Sequence, residues 1–595
     1  MKISNIKVNN YRNLRAVDLD TNKIVVFIGD NNCGKSNLLR AITLPFMNQE
    51  IGAVNKNLGW QDINSAAKQE YYSFIEGNLE EIKNSSCDID QFIDHIPSVN
   101  VEVTLSPQKV AEEYYVRNWT SNLDNDTPLF TIRYEYKVED PQDLLRHISD
   151  ILQDVDSIDD LKMNLLPIEF YKYQTIIPST NEKVSYTDLA YFKYNALAAE
   201  RDDFSNKSSQ LGSKSLVSLL HNKMNTDDKK KVEQSYETFF NDLKNISSLE
   251  EVFNWQESSD LENAKDFFGK ITLLPNVPTM SSLLNNVRLG YGDESLNSQG
   301  LGYRNLIYLF VMLNSLSIES DVALNILTIE EPEAHLSVSN EHLLASFINS
   351  TMNRNNQLQL FISTHSAEFL NKLDLKNVAI LAEGSTYALK KELEGDQLDY
   401  LAKKPNLDFL KFLYSRNCIL VEGPTEEMLI KSYLSTQNEQ LNDIEVISLH
   451  KGFRDMLDIW LKVNQNTSHK IGIIRDFDNQ RKAQEDHEAY NHHPNIYVTT
   501  TQEYTLEPEF VNTSTNFEKL KTYFSTKHGW EDIDTKENLS DKWRGAKTDT
   551  MLHFCRDIGT EELKDVVMPN HIREVIHFLI TGEKNVYCSG WSWSR

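Results

Sequence analysis

Gly29-Asp30-Asn31-Asn32-Cys33-Gly34-Lys35-Ser36 is the stretch on which the fold turns. It satisfies G-x4-G-K-[ST] without a mismatch, and its setting strengthens the match. Ile24–Ile28 (IVVFI) just before it reads as a buried strand, and an apolar helix starts at about Lys35. Strand, glycine turn and helix N-terminus together aim backbone N–H groups at one point, which makes an anion site fit for phosphates. Gly29, Asn32 and Gly34 line that loop. Lys35 is expected to reach the β- and γ-phosphates, and Ser36 to hold Mg²⁺.

The other half of such a site lies far along the chain. Ala323–Ile329 is an apolar strand that ends in Glu330-Glu331. An acidic pair is usually a solvated surface feature, but this strand is too apolar to be exposed. Glu330 is expected to bind Mg²⁺ through water and Glu331 to orient the attacking water. The next strand, Leu358–Ile362, leads into Ser363-Thr364-His365-Ser366, where His365 can sense the γ-phosphate. Lys35 and Glu330 are about 295 residues apart, much too far for a compact GTPase.

The remaining composition bounds the reading. A chain of 595 residues allows two to four domains. Apolar residues at 40% and charged residues at 25% are ordinary for a globular protein. No apolar run is long enough to cross a bilayer, and MKISNIKVNNYRNL alternates like an edge strand rather than a signal peptide. A cytoplasmic protein without a membrane partner is expected. The five cysteines, 33, 87, 418, 555 and 588, are scattered and form no CxxC pair, which argues against a disulfide framework or a cysteine zinc site. A formal net charge of −28 argues against simple nucleic-acid coating but leaves room for a local basic groove.

Alternating strand and helix signals run through both halves, so the class is α/β. Val99–Leu105 reads as a half-buried strand, and residues 141–165 as one acidic amphipathic helix. Residues 205–265 are polar and helix-prone, an inserted arm, and the α/β rhythm resumes near Leu273. Glu392 to Leu407 reads as a linker, with a domain boundary near residue 400. A new unit then begins with the strands Cys418–Val421, Ile471–Ile474 and Ile496–Val498.

That unit carries a second constellation. Leu420-Val421-Glu422-Gly423-Pro424-Thr425-Glu426 is a strand running through a glycine turn into a helix; Ile473-Ile474-Arg475-Asp476-Phe477-Asp478 is a strand ending in DxD. In one parallel sheet these ends would bring Glu422 close to Asp476 and Asp478. Hard oxygen donors of this kind select Mg²⁺ or Mn²⁺, and the clustered charges call for a cation. DxD alone and EG alone are common; their pairing on two strand ends, with Gly452 in a turn between, is fairly specific.

The first constellation resembles the split ATPase head of the SMC, RecF and OLD group. Within that resemblance Asn297-Ser298-Gln299-Gly300-Leu301-Gly302 is similar to the ABC signature loop, through Ser298 and Gly300, and implies dimeric heads. Arg12, in NYRNL, is similar to the phosphate-side arginine. The second constellation resembles the Toprim domain, and the two in this order resemble the OLD (overcoming lysogenisation defect) family. The resemblance implies an ABC-type ATPase head with a helical dimerisation insertion, followed by a Toprim (Rossmann-like) nuclease domain: 1–204 and 271–400 for the head, 205–270 for the insertion, 401–595 for the nuclease. It also implies that Glu507 and Glu509, in TLEPEF, supply ligands for a second metal beside Glu422, Glu426, Asp476 and Asp478, and that Lys547 lies beside the scissile phosphate. ATP and Mg²⁺ (Mn²⁺ at the nuclease site) are the implied cofactors. DNA, a homodimer or tetramer and a separately encoded defence partner are the implied associations. A topoisomerase would need a further cleavage domain and a primase a zinc module, neither of which is visible; an ATP-gated DNA clamp whose C-terminal domain binds a partner stays open.

Overall fold

The computed structural model describes residues 1–46, 56–124, 127–153, 158, 161–198, 211–245, 279–284, 287, 289–316, 322–370, 372–403, 407–436, 441, 443–449, 452–563 and 566–585. The chain opens with an antiparallel sheet, ordered Leu14–Asp20, Lys2–Tyr11, Val99–Ser106, Thr127–Val138, Thr120–Asp124, with Tyr171–Ile176 also paired to Thr127–Val138. Val99–Ser106 alternates buried and half-buried along its length, the period of 2 expected of a strand with one face on a core.

The central sheet comprises β1 (Ile24–Gly29), β2 (Phe192–Leu197), β3 (Leu324–Glu330), β4 (Leu358–Ser363), β5 (Val378–Ala382) and β6 (Ser385–Ala388). Its order is β6-β5-β1-β4-β3-β2, and only the β5–β6 pair is antiparallel. Every residue of β1 and β4 is buried, as strands covered on both faces require. The alternation divides two cores. Val25 and Phe27 face the antiparallel sheet. Val26 and Ile28 face the layer holding α2 (Leu301–Leu316) and α3 (Val338–Arg354). Helix α1 (Lys35–Thr43) follows the phosphate loop.

The C-terminal sheet is parallel, with β7 (Asn417–Val421), β8 (Ile444–Ser448), β9 (Lys470–Arg475) and β10 (Ile496–Thr500) in the order β8-β7-β9-β10. Cys418 and Leu420 on β7 enter the core shared with the central sheet. Ile419 and Val421 face the opposite core, with helices Pro424–Ser435 and Asn570–Thr581. Between the sheets, the stretch expected as a linker, of which residues 404–406 lie outside the described residues, holds a packed helix: Gly395–Ala402 buries Leu398 and Leu401 in the shared core. Lys462 Nζ donates to Gln397 Oε1 at 2.8 Å, and the Ser468 amide to Glu383 Oε2 at 3.1 Å, so polar bonds also bridge the halves.

Residues 141–165 are not one helix. Pro141–Leu152, capped by Asp140, buries Leu144, Ile148 and Leu152, and a separate turn, Lys162–Leu165, follows. Of the expected insertion, residues 205–210 and 246–270 lie outside the described residues. Helices Leu211–Lys223 and Thr226–Lys244 are seen, and the first packs against α2. Among the described residues no helix is long and apolar enough to cross a membrane.

Candidate functional site

The strand order β1-β4-β3 sets the phosphate loop, the Thr364–His365 turn and Glu330–Glu331 side by side at one sheet edge. Gly34 caps α1 at φ 115°, a backbone that costs a residue with a Cβ about 1–2 kcal/mol. A Cβ on Gly29 would come within 2.4 Å of the Leu381 carbonyl oxygen. Lys35 Nζ donates to the Gly29 and Asp30 carbonyls at 2.9 and 2.8 Å, so the ammonium lies across the loop. Ser36 Oγ donates to Glu330 Oε2 at 2.7 Å, joining residues 294 positions apart. These two oxygens are the donor pair a Mg²⁺ ion carried by a nucleotide would take. Glu331 adopts a left-handed backbone at φ 44°, a strain of order 1–3 kcal/mol. His365 is exposed, yet desolvation first, and then Lys35, hold its pKa below the usual value, against the pull of Glu331 and Asp30.

Arg12 is not aimed freely at this edge. Its Nε pairs with Asp62 Oδ1 at 2.8 Å and its Nη1 donates to Asn37 Oδ1 at 3.0 Å, one residue beyond Ser36 on α1. Asn13, which the sequence reading missed, braces the loop by donating from Nδ2 to the Asn32 carbonyl at 2.8 Å. Ser298 and Gly300 lie on the exposed turn before α2, where Ser298 Oγ donates to Glu294 Oε2 at 3.2 Å. Glu333 was also missed. It is half-buried behind the turn, where Oε1 accepts from Thr364 Oγ1 at 2.7 Å and from the His365 amide at 2.8 Å. The only local signal was a third acid in Glu330-Glu331-Pro332-Glu333, in a segment too tight to turn every carboxylate outward.

The second edge is set by topology. The chain leaves β7 for β8 on one side and returns to β9 on the other, so the carboxyl ends of β7 and β9 form the switch point where open α/β sheets bind ligands. Glu422 follows β7 and Asp476 follows β9; the Asp476 amide donates to Glu422 Oε1 at 3.2 Å. Glu426 is buried in the first turn of helix Pro424–Ser435, its Oε2 accepting from Thr425 Oγ1 at 3.1 Å. Asp478 takes a left-handed backbone, φ 49°. Burial, more than any neighbour, pushes the Glu422 pKa up; Arg475 opposes the shift, and the Asp478 and Glu426 charges add to it. Arg475 is 5% exposed, with Nε 3.9 Å from Glu422 Oε1. An arginine between Ile474 and Asp476 in an apolar strand is a signal that could have been read.

The expected six-carboxylate shell is not assembled. Among the described residues no group of three or more His, Cys, Asp or Glu side chains is arranged to hold a metal ion. Glu507 is fully buried and its Oε2 accepts from Thr505 Oγ1 at 3.0 Å. Glu509 Oε2 accepts from the Gln502 and Glu503 amides at 2.9 and 2.8 Å, which ties it to the loop after β10; its Oε1 is 4.0 Å from His571 Nδ1. Lys547 opens helix Lys547–Asp557, and its side chain lies outside the described residues. Glu422, Glu426, Asp476 and Asp478 still fit a hard divalent cation by donor type and place.

The sequence model of a family described as AAA ATPase domain (AAA_15) matches residues 1–370. The curated protein Endonuclease GajA of Bacillus cereus (strain HuB5-5) is 22% identical over 497 residues, covering 72% of this chain and 67% of that protein. Among solved structures, the SMC head domain from Thermotoga maritima is 11% identical, covers 65% of this chain and 97% of that one, and has a TM-score of 0.29. Stu0660 of Streptococcus thermophilus is 12% identical, covers 78% and 93%, and has a TM-score of 0.31. Scores this low add nothing to the strand order above.

Proposed function

Given that the chain belongs to the AAA ATPase domain family, we propose that it is an ATP-hydrolysing, divalent-metal-dependent DNA endonuclease of the OLD type, its C-terminal unit a Toprim nuclease and its role antiphage defence. The observation that carries the nuclease half is the pair Glu422 and Asp476 on the carboxyl ends of neighbouring parallel strands at a switch point. The likeness to Endonuclease GajA supports it.

At the first edge, the loop amides and Lys35 bind the phosphates, and Ser36 with Glu330 would hold Mg²⁺. Glu331 accepts a proton from the water it orients, and His365 contacts the γ-phosphate side. At the second, Glu422, Glu426, Asp476 and Asp478 would hold Mg²⁺ or Mn²⁺. A bound cation supplies the charge that stabilises a phosphodiester undergoing hydrolysis. Glu507 and Glu509 keep the loop after β10 in place behind that cluster, and Lys547 neutralises the scissile phosphate. Arg12 braces α1, while Ser298 and Gly300 reach the nucleotide of a second head, which makes a homodimer or tetramer the working unit.

A supercoiled-plasmid nicking assay tests this. Nicking should require Mg²⁺ or Mn²⁺, stop with EDTA, and vanish in Glu422→Ala and Asp476→Ala, while ATP turnover persists in both. Cleavage surviving both substitutions refutes the nuclease assignment; a wild-type chain that binds DNA with ATP but never cuts it is instead an ATP-gated clamp.

A further inference from the structure

We propose that Glu333 is a positioning residue for ATP hydrolysis, fixing the Thr364–His365 turn so that the His365 ring faces the nucleotide phosphates. The inference rests on the reading of His365 given above.

The reasoning starts from what the end of β4 lacks. Ladder pairing of β4 with β3 ends at Ser363, where Glu330 is the partner, so the amides that follow need acceptors from elsewhere. The Thr364 amide finds the Phe27 carbonyl at 3.1 Å. The His365 amide finds Glu333 Oε1 at 2.8 Å, and the Ser366 amide finds Thr364 Oγ1 at 3.0 Å. The Thr364 hydroxyl in turn donates to the same Glu333 oxygen at 2.7 Å. Beyond it, Ser366 Oγ donates to Glu341 on α3 and accepts from the Phe369 amide at 3.0 Å. Of these anchors, Glu333 is the one side chain bonded to the backbone of His365 itself.

This arrangement is costly for a plain turn. Glu333 Oε2 is buried and makes no hydrogen bond among the described residues. A carboxylate with one oxygen buried and unsatisfied loses solvation that a serine or asparagine would not. The oxygen that is satisfied holds the residue whose ring lies in the field of Lys35 and Glu331. Glu333 is also two residues from Glu331, so one tight turn sets the water-orienting carboxylate and, across the sheet edge, the histidine. Freeing the turn lets His365 drift, and a displacement near 1 Å at a reacting group costs about 10²-fold in rate.

Three variants are assayed for ATP turnover and nucleotide affinity: Glu333→Ala, Glu333→Gln and His365→Ala, with the double variant Glu333→Ala/His365→Ala. Glu333→Ala should lose about 10²-fold in kcat with KM for ATP little changed. Glu333→Gln keeps an acceptor for both donors and should restore most of the rate. The double variant should be no slower than His365→Ala, because both act through one group. Wild-type turnover in Glu333→Ala, a Glu333→Gln as slow as Glu333→Ala, or full additivity in the double variant each overturns the proposal. His365→Ala hydrolysing at the wild-type rate removes the histidine reading itself, a separate failure. Circular dichroism and the thermal midpoint check folding. If Glu333→Ala is unfolded, Thr364→Val decides instead: it deletes the bridging hydroxyl and should show the same kcat loss, and a wild-type rate overturns the proposal.

Discussion

Gly302→Ala sets a gain in helix propensity against a collision. Gly302 is the second residue of α2. In an unhindered helix, replacing Gly by Ala is favourable by about 1 kcal/mol. Here the added Cβ would lie 2.2 Å from the His335 carbonyl oxygen and 3.3 Å from its carbon. Carbon–oxygen contacts settle near 3.3 Å, so the two backbones must part by about 1 Å. The helix resists the shift, since Leu306, Leu309 and Leu313 are buried in the shared core. The turn therefore yields, and with it the Asn305 Nδ2 bond to the Ala334 carbonyl at 3.2 Å. Overpacking of this kind costs about 1–3 kcal/mol, enough to outweigh the helix gain. The turn that moves carries Glu331 and Glu333, so ATP turnover should fall by about 10²-fold, with nucleotide affinity nearly unchanged because Lys35 and Ser36 stay in place. Gly300→Ala is the packing control, as nothing lies within 4 Å of its Cβ position, and it should leave the thermal midpoint alone. Gly302→Ala with wild-type turnover and midpoint would refute the reasoning.

Glu331→Gln should bind ATP normally and hydrolyse it at least about 10²-fold more slowly, because the water loses its base while the phosphate contacts remain; an unaltered single-turnover rate would remove Glu331 from the reaction. His571 makes the C-terminal half acid-sensitive. Burial pushes its pKa down from 6.5 to about 3, and neither ring nitrogen has a hydrogen bond among the described residues. The unfolded chain therefore binds the extra proton between those values, so stability is complete above about pH 6.5 and lost as pH falls toward 3. By linkage the loss at pH 5 is about 2 kcal/mol. His571→Leu should shrink the drop in stability between pH 7.5 and 5 by that amount, read by denaturant unfolding at each pH; an unchanged drop would mean that the buried imidazole is not what acid attacks.

What could be read from the chain follows from which interactions are local. The phosphate loop, the acid-terminated strand Leu324–Glu330 and the strand ends at Glu422 and Asp476 are legible because a motif and an apolar run sit in one window. Their meeting is not local: Ser36 reaches Glu330 only because β4 lies between β1 and β3. Helix Gly395–Ala402, inside the stretch expected as a linker, escapes a sequence reading for a related reason. Leu398 and Leu401 are a single i, i+3 pair among polar residues, too short a stripe to signal a helix, yet they complete the core joining the two sheets. Glu333, Arg475 and Glu509 mark the sharper limit. By residue type they are ordinary surface charges, yet Glu333 is half-buried and Arg475 and Glu509 are buried because tertiary structure brings each a partner: the Thr364–His365 turn, Glu422, and the amides of Gln502 and Glu503. For Glu509 this partner also alters the chemistry, since an oxygen held by two amides is already engaged, whatever its place in a motif. A charged residue at a strand end therefore names a candidate, and what its atoms already bond to decides the role it can take.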